Sequence, residues 1–257
     1  MSMNTWLRRH PVAEPVVSRL VCLPHAGGTA GSFAGWAGRL PAGVELIAVQ
    51  YPGRQDRLGE EPFGDMAEMA EQVARELRPL LDLPMALFGH SMGTGLAYEV
   101  AGLLEREHGF VVDHVFVSAR PAPHLIDGEH RHLLSDEELA AEMRGLGGPD
   151  AEAFDHPELL PLILPPLRAD LALLDRYRPE RPAPLRAPIT VFGGERDDSC
   201  PVSDLPSWGE ITTAGVRVRI FPGGHHYLRD AEDEVVAAVS AEILAARQRR
   251  RRSASLA

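Results

Sequence analysis

The sequence predicts an α/β protein with a mostly parallel, doubly wound sheet and one inserted helical segment. Short apolar runs rich in branched residues alternate with segments whose apolar residues recur at helical spacing. The length of 257 residues suits a single domain with a sizeable core, or two small domains. The alternation is interrupted over residues 120–187, where no strand pattern occurs. Alternating elements of this kind are typical of parallel sheets with helices on both faces.

Six runs are predicted as strands, at residues 18–24, 44–51, 84–88, 113–119, 188–193 and 216–221. Helices are predicted around residues 33–40 and over residues 65–81, 94–107 and 231–246. The helix at 65–81 carries acidic residues early and arginines late, which suits the helix dipole. We therefore expect one domain over residues 18–246, preceded by an N-terminal extension at residues 1–17.

The interval after the fourth strand is interpreted as a helical lid at about residues 124–180. Ser135 and Glu138 have the spacing of a capping box at the start of a helix. The segment beyond it, HPELLPLILPPLRADLALLDRY, is apolar, helical in places and interrupted by prolines. Ligands of such sheets bind at the carboxyl ends of the strands. A lid over that edge is therefore favoured over a helical domain without function.

The charge of the chain argues against a nucleic-acid-binding protein. The formal net charge is −11, although residues 247–257, RQRRRRSASLA, are rich in arginine. General nucleic-acid binding depends on neutralising phosphates, which an acidic body does not do. The arginine-rich tail is interpreted as a solvated and disordered terminus, which is favoured over a segment that contacts an acidic partner or nucleic acid.

The apolar runs are too short for a membrane protein, since a spanning helix needs about 18 consecutive apolar residues. The N-terminal residues contain no apolar signal-peptide region. Cys22 and Cys200 cannot form a disulfide framework. We therefore expect a cytoplasmic protein that does not bind membranes.

Residues 88–95, FGHSMGTG, contain the best candidate for a nucleophile. Ser91 lies between Gly89 and Gly93, after a predicted strand and before a predicted helix. This is the pattern of a nucleophile elbow, in which a strained turn exposes the serine hydroxyl above the sheet. Side chains at positions 89 and 93 would collide with the neighbouring strand and helix. Because a serine hydroxyl needs a base, a histidine and an acid are expected further along the chain.

Candidates for both follow in the Ser, Asp, His order that this elbow requires. Asp197 and Asp198 follow the fifth predicted strand, and His225 and His226 follow the sixth. Asp197 is favoured because it stands three residues beyond Gly194, with Asp198 as the alternative. His225 is favoured because it directly follows two glycines, whereas His226 is expected to contact the lid.

Acyl transfer also needs two donors for the developing oxyanion. The N–H group of Met92, at the start of a helix, is the first candidate. The second is expected in the loop LPHAGGTAGS, with Ala26 favoured and Gly27 as the alternative. His90, next to the nucleophile, is interpreted as a packing neighbour of the turn.

Cofactor sites are not indicated by the sequence. The glycine-rich loop lacks both GxGxxG and the lysine of a phosphate-binding loop. The remaining histidines show no spacing typical of metal ligands. We therefore expect neither a metal nor a bound cofactor.

Five segments together resemble the type II thioesterases of polyketide and nonribosomal peptide synthases, which belong to the α/β-hydrolase superfamily. In order, they are LVCLPHAGGTAGSFAGW, VQYPGRQDRLGE, FGHSMG, VFGGERDD and FPGGHHYL. The resemblance extends from about residue 19 to the last helix. His226 and Tyr227 depart from the family pattern.

The resemblance implies an α/β-hydrolase fold and an editing thioesterase that acts in trans. Such an enzyme removes stalled or wrong acyl groups from the phosphopantetheine thiol of acyl or peptidyl carrier proteins, through an acyl-Ser91 intermediate. The phosphopantetheine belongs to the substrate, so no cofactor is implied. The lid would form the acyl pocket. Its apolar run at residues 159–174 suits an acyl chain, although core packing alone would also explain the run.

Carrier proteins are commonly acidic, as this chain is, so bulk electrostatic steering should oppose their encounter. We expect transient docking, through local arginines and apolar contacts, to a monomeric enzyme. One alternative is a small-molecule carboxylesterase with the same triad. The other is a non-catalytic binding protein of the same fold, which is disfavoured because all three triad residues are present.

Overall fold

A seven-stranded sheet in the order β1-β3-β2-β4-β5-β6-β7 forms the centre of the computed structural model. The model describes residues 5–126, 128, 130–148, 151–179 and 182–255. Residues 1–4 of the predicted extension, 127, 129, 149, 150 and 180 of the predicted lid, and 256–257 of the predicted tail lie outside the described residues.

The strands are Leu7–His10 (β1), Ser18–Leu23 (β2), Val44–Val49 (β3), Met85–His90 (β4), His114–Ser118 (β5), Ile189–Gly194 (β6) and Val216–Phe221 (β7). The α-helices of the described residues are Met66–Leu77 (α1), Met92–His108 (α2), Asp136–Leu146 (α3), Leu160–Arg176 (α4) and Glu232–Ala254 (α5). All neighbouring strands pair in parallel except β1 and β3. The predicted α/β-hydrolase fold, with a mostly parallel doubly wound sheet, is confirmed.

Both faces of the sheet are covered by helices. Every residue of β2 to β6 is buried, which explains why these strands are nearly continuous apolar runs. Along β2, Val21 packs in the cluster that contains α1 and α2, whereas Leu20 packs in the cluster that contains α5. The alternation of side chains along a strand therefore supplies the sheet with two apolar cores.

The edge strand β1 lies within the predicted N-terminal extension and was not expected from the sequence. Its residues, LRRH, do not alternate between apolar and polar. The strand forms because its backbone pairs with β3, with Leu7 opposite Val49. Burial of Trp6 and Leu7 then anchors this segment to the core.

The C-terminal helix also differs from the prediction, because α5 continues to Ala254 and does not end near residue 246. The predicted disordered tail is therefore helical over its described residues up to position 254. Arg247 donates to the carbonyl of Ala42 and to the hydroxyl of Ser18, and Arg250 forms an ion pair with Asp113. Arginine favours helices, and positive charge is stabilising near a helix C-terminus.

The interval between β5 and β6 contains α3, α4 and short 3-10 turns, and no strand lies in its described part. The capping box of Ser135 and Glu138 is present at the start of α3. The prolines do not interrupt α4, which runs through Pro165 and Pro166. Pro161 lies in the first helical turn, where an N–H donor is not needed. None of the helices in the described ranges is long and apolar enough to cross a bilayer.

Candidate active site

Ser91 occupies the sharp turn between β4 and α2, with φ 53° and ψ −114°. Glycine is required at both flanking positions because a side chain there would overlap neighbouring backbone atoms. A Cβ atom on Gly89 would lie 2.1 Å from the carbonyl oxygen of Gly93, and one on Gly93 would lie 2.0 Å from that of Leu23. No side chain fits at such distances, so the steric reason expected for the two glycines holds.

Hydrogen bonds to the neighbouring strand β5 and within the turn itself hold this unusual backbone conformation. The N–H group of Ser91 donates to the carbonyl of Ser118 at 2.8 Å, and that of Thr94 donates to the carbonyl of Ser91 at 3.0 Å. The hydroxyl of Thr94 also donates to the carbonyl of Gly89 at 2.9 Å. A strained turn persists only where its surroundings support it in this way.

Three side chains meet at the carboxyl edge of the sheet. The Oγ atom of Ser91 lies 2.9 Å from Nε2 of His225, and Nδ1 of His225 lies 2.9 Å from Oδ2 of Asp197. Asp197 follows the end of β6, and His225 follows the end of β7. Because these strands are parallel, the loops after them reach the same edge as the turn after β4.

The surroundings of Asp197 distinguish it from Asp198. The N–H and hydroxyl groups of Ser199 both donate to Oδ1 of Asp197 at 3.0 Å. Burial raises the pKa of Asp197, but the hydrogen bond and charge of His225, with the bonds from Ser199, outweigh it and hold the pKa below its usual range. Asp197 is therefore an anion that orients the imidazole. The side chain of Asp198 is exposed to solvent.

His226 lies beside the lid and not against the nucleophile. A Cβ atom on Gly148, just beyond α3, would lie 3.1 Å from the His226 ring. Burial is the main cause that lowers the pKa of His226 to about 2, so this ring is neutral. Neighbouring His90 is bound through Nδ1 to the hydroxyl of Ser118 at 2.8 Å, which agrees with its interpretation as a packing neighbour of the turn.

His25 is a residue of the site that sequence reasoning missed. Its ring packs edge-to-face on His226, with 4.9 Å between the ring centroids, and it lines the cavity above Ser91. Burial, followed by the charges of His225 and Arg54, lowers the pKa of His25 to about 4. The sequence feature that could have identified His25 is its position directly before Ala26, the predicted oxyanion donor.

Hydrogen bonding in the loop after β2 distinguishes the two candidates for the second oxyanion donor. Ala26 lines the same cavity as Ser91. Within the described residues, the N–H group of Ala26 has no hydrogen-bond partner, whereas that of Gly27 donates to Oδ2 of Asp170 at 2.8 Å. Met92 is the first residue of α2, where backbone N–H groups have no partner inside the helix. The geometry thus favours Ala26 over Gly27, together with Met92.

Two adjoining cavities lie under the lid. The cavity that contains Ser91 and His225 has a volume of about 270 Å³, and apolar side chains of α4 such as Leu171 and Leu174 line it. The second cavity, of about 360 Å³, is lined on one side by apolar side chains of α4 and of the segment between α3 and α4, and on the other by the loop after β2 and by the segment after β3 that carries Arg54. Met143 and Leu167 line both cavities. No group of three histidine, cysteine, aspartate or glutamate side chains among the described residues is placed to hold a metal ion.

Comparisons with known proteins agree with this geometry. A family model described as a thioesterase domain matches residues 18–243. The chain is 38% identical to Thioesterase PikA5 of Streptomyces venezuelae over 94% of this chain and 86% of that protein. It is 34% identical to the gramicidin S biosynthesis protein GrsT of Aneurinibacillus migulanus, over 91% and 92% of the two chains.

Solved structures show the same relationship. The type II thioesterase BorB from the borrelidin biosynthetic cluster has a similar structure, with a TM-score of 0.86 and 39% sequence identity. The aligned region covers 93% of this chain and 98% of the BorB chain. The type II thioesterase YbtT from the yersiniabactin pathway has a TM-score of 0.84 at 27% identity, over 94% and 99% of the chains. The range matched by the family model contains the positions of Ser91, Asp197 and His225. The chain therefore belongs to the thioesterase family, within its type II group, and it is a serine hydrolase.

Proposed function

We propose that this thioesterase hydrolyses stalled or wrong acyl thioesters from the phosphopantetheine arm of acyl or peptidyl carrier proteins in polyketide or nonribosomal peptide biosynthesis. The observation that carries the proposal is the continuous hydrogen-bonded series of Ser91, His225 and Asp197 below a lid, in a chain similar to type II thioesterases of such pathways. The phosphopantetheine arrives with the substrate, and the proposed chemistry needs no other cofactor.

Acylation begins at Ser91. Nε2 of His225 accepts the hydroxyl proton as Oγ attacks the thioester carbonyl carbon. The N–H groups of Met92 and Ala26 donate to the oxyanion that forms. When the C–S bond breaks, the imidazolium returns the proton to the departing sulfur, so the arm leaves as a thiol. Asp197 keeps Nδ1 protonated, and its negative charge stabilises the transient imidazolium.

Deacylation repeats these steps with water. His225 accepts a proton from the water molecule that attacks the acyl-Ser91 ester, and the same two N–H groups hold the second oxyanion. The ester bond then breaks, and His225 returns the proton to Oγ. The products are a free acid and the restored serine.

The acyl group lies against the apolar lid side chains that line the Ser91 cavity, such as Leu171 and Leu174. Longer chains extend past Met143 into the second cavity, because this side chain and Leu167 line both spaces. The second cavity is the more apolar of the two, which suits the end of an acyl chain, whereas Arg120, Arg131 and Asp204 also line the Ser91 cavity.

Docking of the carrier protein is transient, and the enzyme acts as a monomer. The net charge of −11 opposes long-range attraction to an acidic partner. A tight dissociation constant that weakens steeply with added salt would contradict weak docking of this kind.

Mass spectrometry of an acyl-loaded carrier protein tests the proposal. We expect the wild-type enzyme to remove the acyl group, Ser91→Ala to leave it in place, and Ser203→Ala, a change at an exposed serine, to behave as wild type. Retained deacylation by Ser91→Ala would refute the mechanism. Hydrolysis of simple esters with much higher kcat/KM than the carrier thioester would instead favour a small-molecule carboxylesterase.

A further inference from the structure

A buried ion pair connects the lid to the loop that carries Ala26. Arg54 follows β3, and its guanidinium forms two hydrogen bonds with Asp170 of α4, at 2.7 and 2.9 Å. The Arg54 and Asp170 side chains are only 5% and 4% exposed. A buried pair of this kind is weak evidence for stability, since desolvation offsets most of the attraction. Its position relative to the oxyanion loop suggests another role.

Asp170 contacts the oxyanion loop directly, since its Oδ2 atom accepts the N–H group of Gly27 at 2.8 Å. Gly27 is the third residue of a turn in which the N–H group of Gly28 donates to the carbonyl of His25 at 2.9 Å. Its φ of 75° is that of the third position of a type II turn. Ala26 is the second residue of this turn, so the carboxylate holds the peptide unit that follows the proposed oxyanion donor.

The same loop is tied at its two ends. The hydroxyl of Tyr51 donates to the carbonyl of Pro24 at 3.0 Å, and the N–H group of Ala30 donates to the side chain of Gln50 at 2.9 Å. Neither bond reaches the tip of the loop around Ala26. The tip is held by Asp170, which accepts the Gly27 N–H group, and by Arg54, whose guanidinium donates to the carbonyl of Gly28 at 3.2 Å.

We propose that Asp170, itself oriented by Arg54, is a positioning residue that holds the Ala26 N–H group in place for the oxyanion. This inference rests on the proposed function. Oxyanion stabilisation depends on donors that are fixed before the reaction, so a mobile turn weakens the transition state more than substrate binding. Because Asp170 belongs to α4, the geometry of the oxyanion site is coupled to the position of the lid.

Two double variants isolate the hydrogen bond from the ion pair. Arg54→Met with Asp170→Leu removes both charges and the acceptor, whereas Arg54→Met with Asp170→Asn removes both charges and keeps an oxygen for Gly27. For a hexanoyl thioester of N-acetylcysteamine, we expect the first variant to lose about 10- to 100-fold in kcat with KM changed less than about threefold. Both variants lose the Arg54 guanidinium and its hydrogen bond to the carbonyl of Gly28, so the kcat ratio between them isolates the bond to the Gly27 N–H group. The second variant should keep at least about fivefold more kcat than the first. Equal kcat values for the two variants would overturn the proposal.

Arg19 and Glu45 provide a matched control, because they form another buried ion pair, at the opposite edge of the sheet, and both side chains are 7% exposed. Arg19→Met with Glu45→Leu should keep wild-type kcat. A comparable loss of kcat in this control would assign the effect to general destabilisation and would also overturn the proposal.

Hydrogen exchange of the Gly27 amide tests the same idea without substrate. We expect exchange to be at least about fivefold faster in the Asp170→Leu double variant than in the Asp170→Asn double variant, since only the second keeps an acceptor for the Gly27 N–H group. Unchanged exchange in both would overturn the proposal. Because this measurement needs no turnover, it stays informative even if the carrier thioester proves not to be the substrate, which would refute only the proposed function.

Discussion

The substitution Asp197→Asn provides a sharp test of the triad, because the structure dictates how the amide must orient. Ser199 donates two hydrogen bonds to Oδ1 of Asp197, so the asparagine oxygen should occupy that place. Its NH₂ group then faces Nδ1 of His225, which must accept a hydrogen bond. The proton of the imidazole moves to Nε2, next to Ser91, where a base is needed.

The magnitude follows from the lost charge. A carboxylate and an imidazolium whose charge centres lie about 4 Å apart attract by about 4 kcal/mol at an effective dielectric constant of about 20. Asp197 and His225 are 5% and 9% exposed, so solvent screens this attraction little. Each 1.36 kcal/mol corresponds to about tenfold in rate, so kcat should fall about 10³-fold. The unfavourable tautomer extends the expected loss toward about 10⁴-fold.

The assay is steady-state hydrolysis of an acyl carrier protein thioester, with Asp198→Asn as the matched control. The control makes the same chemical change at the exposed neighbour and should retain kcat within about twofold. Thermal denaturation of both variants verifies that the fold is intact. A kcat for Asp197→Asn within tenfold of wild type would refute the assigned role of the carboxylate.

Two further predictions concern the cavities and the dependence of stability on pH. Met143→Trp should narrow the junction of the two cavities and remove room for about two methylene groups of a long acyl chain. Burial of each methylene group contributes about 0.8 kcal/mol, so kcat/KM for octanoyl thioesters should fall about tenfold relative to acetyl thioesters. Equal effects on both thioesters would contradict this. Burial is the main cause that lowers the pKa of His114 in the folded protein from 6.5 to about 4. Protonation therefore favours the unfolded state, and between pH 7 and pH 5 this residue should remove about 2 kcal/mol of unfolding free energy. His114→Gln keeps a polar partner for Thr190 and should not show this decrease in unfolding free energy when urea denaturation is measured at pH 7 and pH 5. The same pH dependence in the variant as in the wild type would contradict the prediction.

The catalytic constellation could be predicted because each part depends on local sequence. Gly89 and Gly93 mark the elbow through a steric requirement that no other residue meets. The candidates for acid and base were found because strand ends are visible in the apolar pattern, and parallel strands bring their ends to one edge. The preference for Asp197 over Asp198 depends on the conformation of the turn after β6, and the contacts of Asp197 with His225 and Ser199 support it.

Long-range polar contacts could not be predicted in the same way. Arg54 and Asp170 are 116 residues apart, and nothing in the sequence around either residue indicates that the two form an ion pair. The strand β1 was missed because pairing with β3 outweighs its weak local pattern. The end of α5 was misplaced because its arginines contact loops distant in sequence, as Arg250 does with Asp113.

The sequence by itself determined the parallel sheet, the nucleophile elbow and the family, because these depend on periodicity and on short motifs whose geometry is local. Only the tertiary structure decided which N–H group remains available for the oxyanion, since the Gly27 N–H group is occupied by Asp170 of the lid. It also decided that His226 packs beside the lid while His225 reaches Ser91. Both choices depend on which side chains meet across the fold, and spacing along the chain does not encode such contacts.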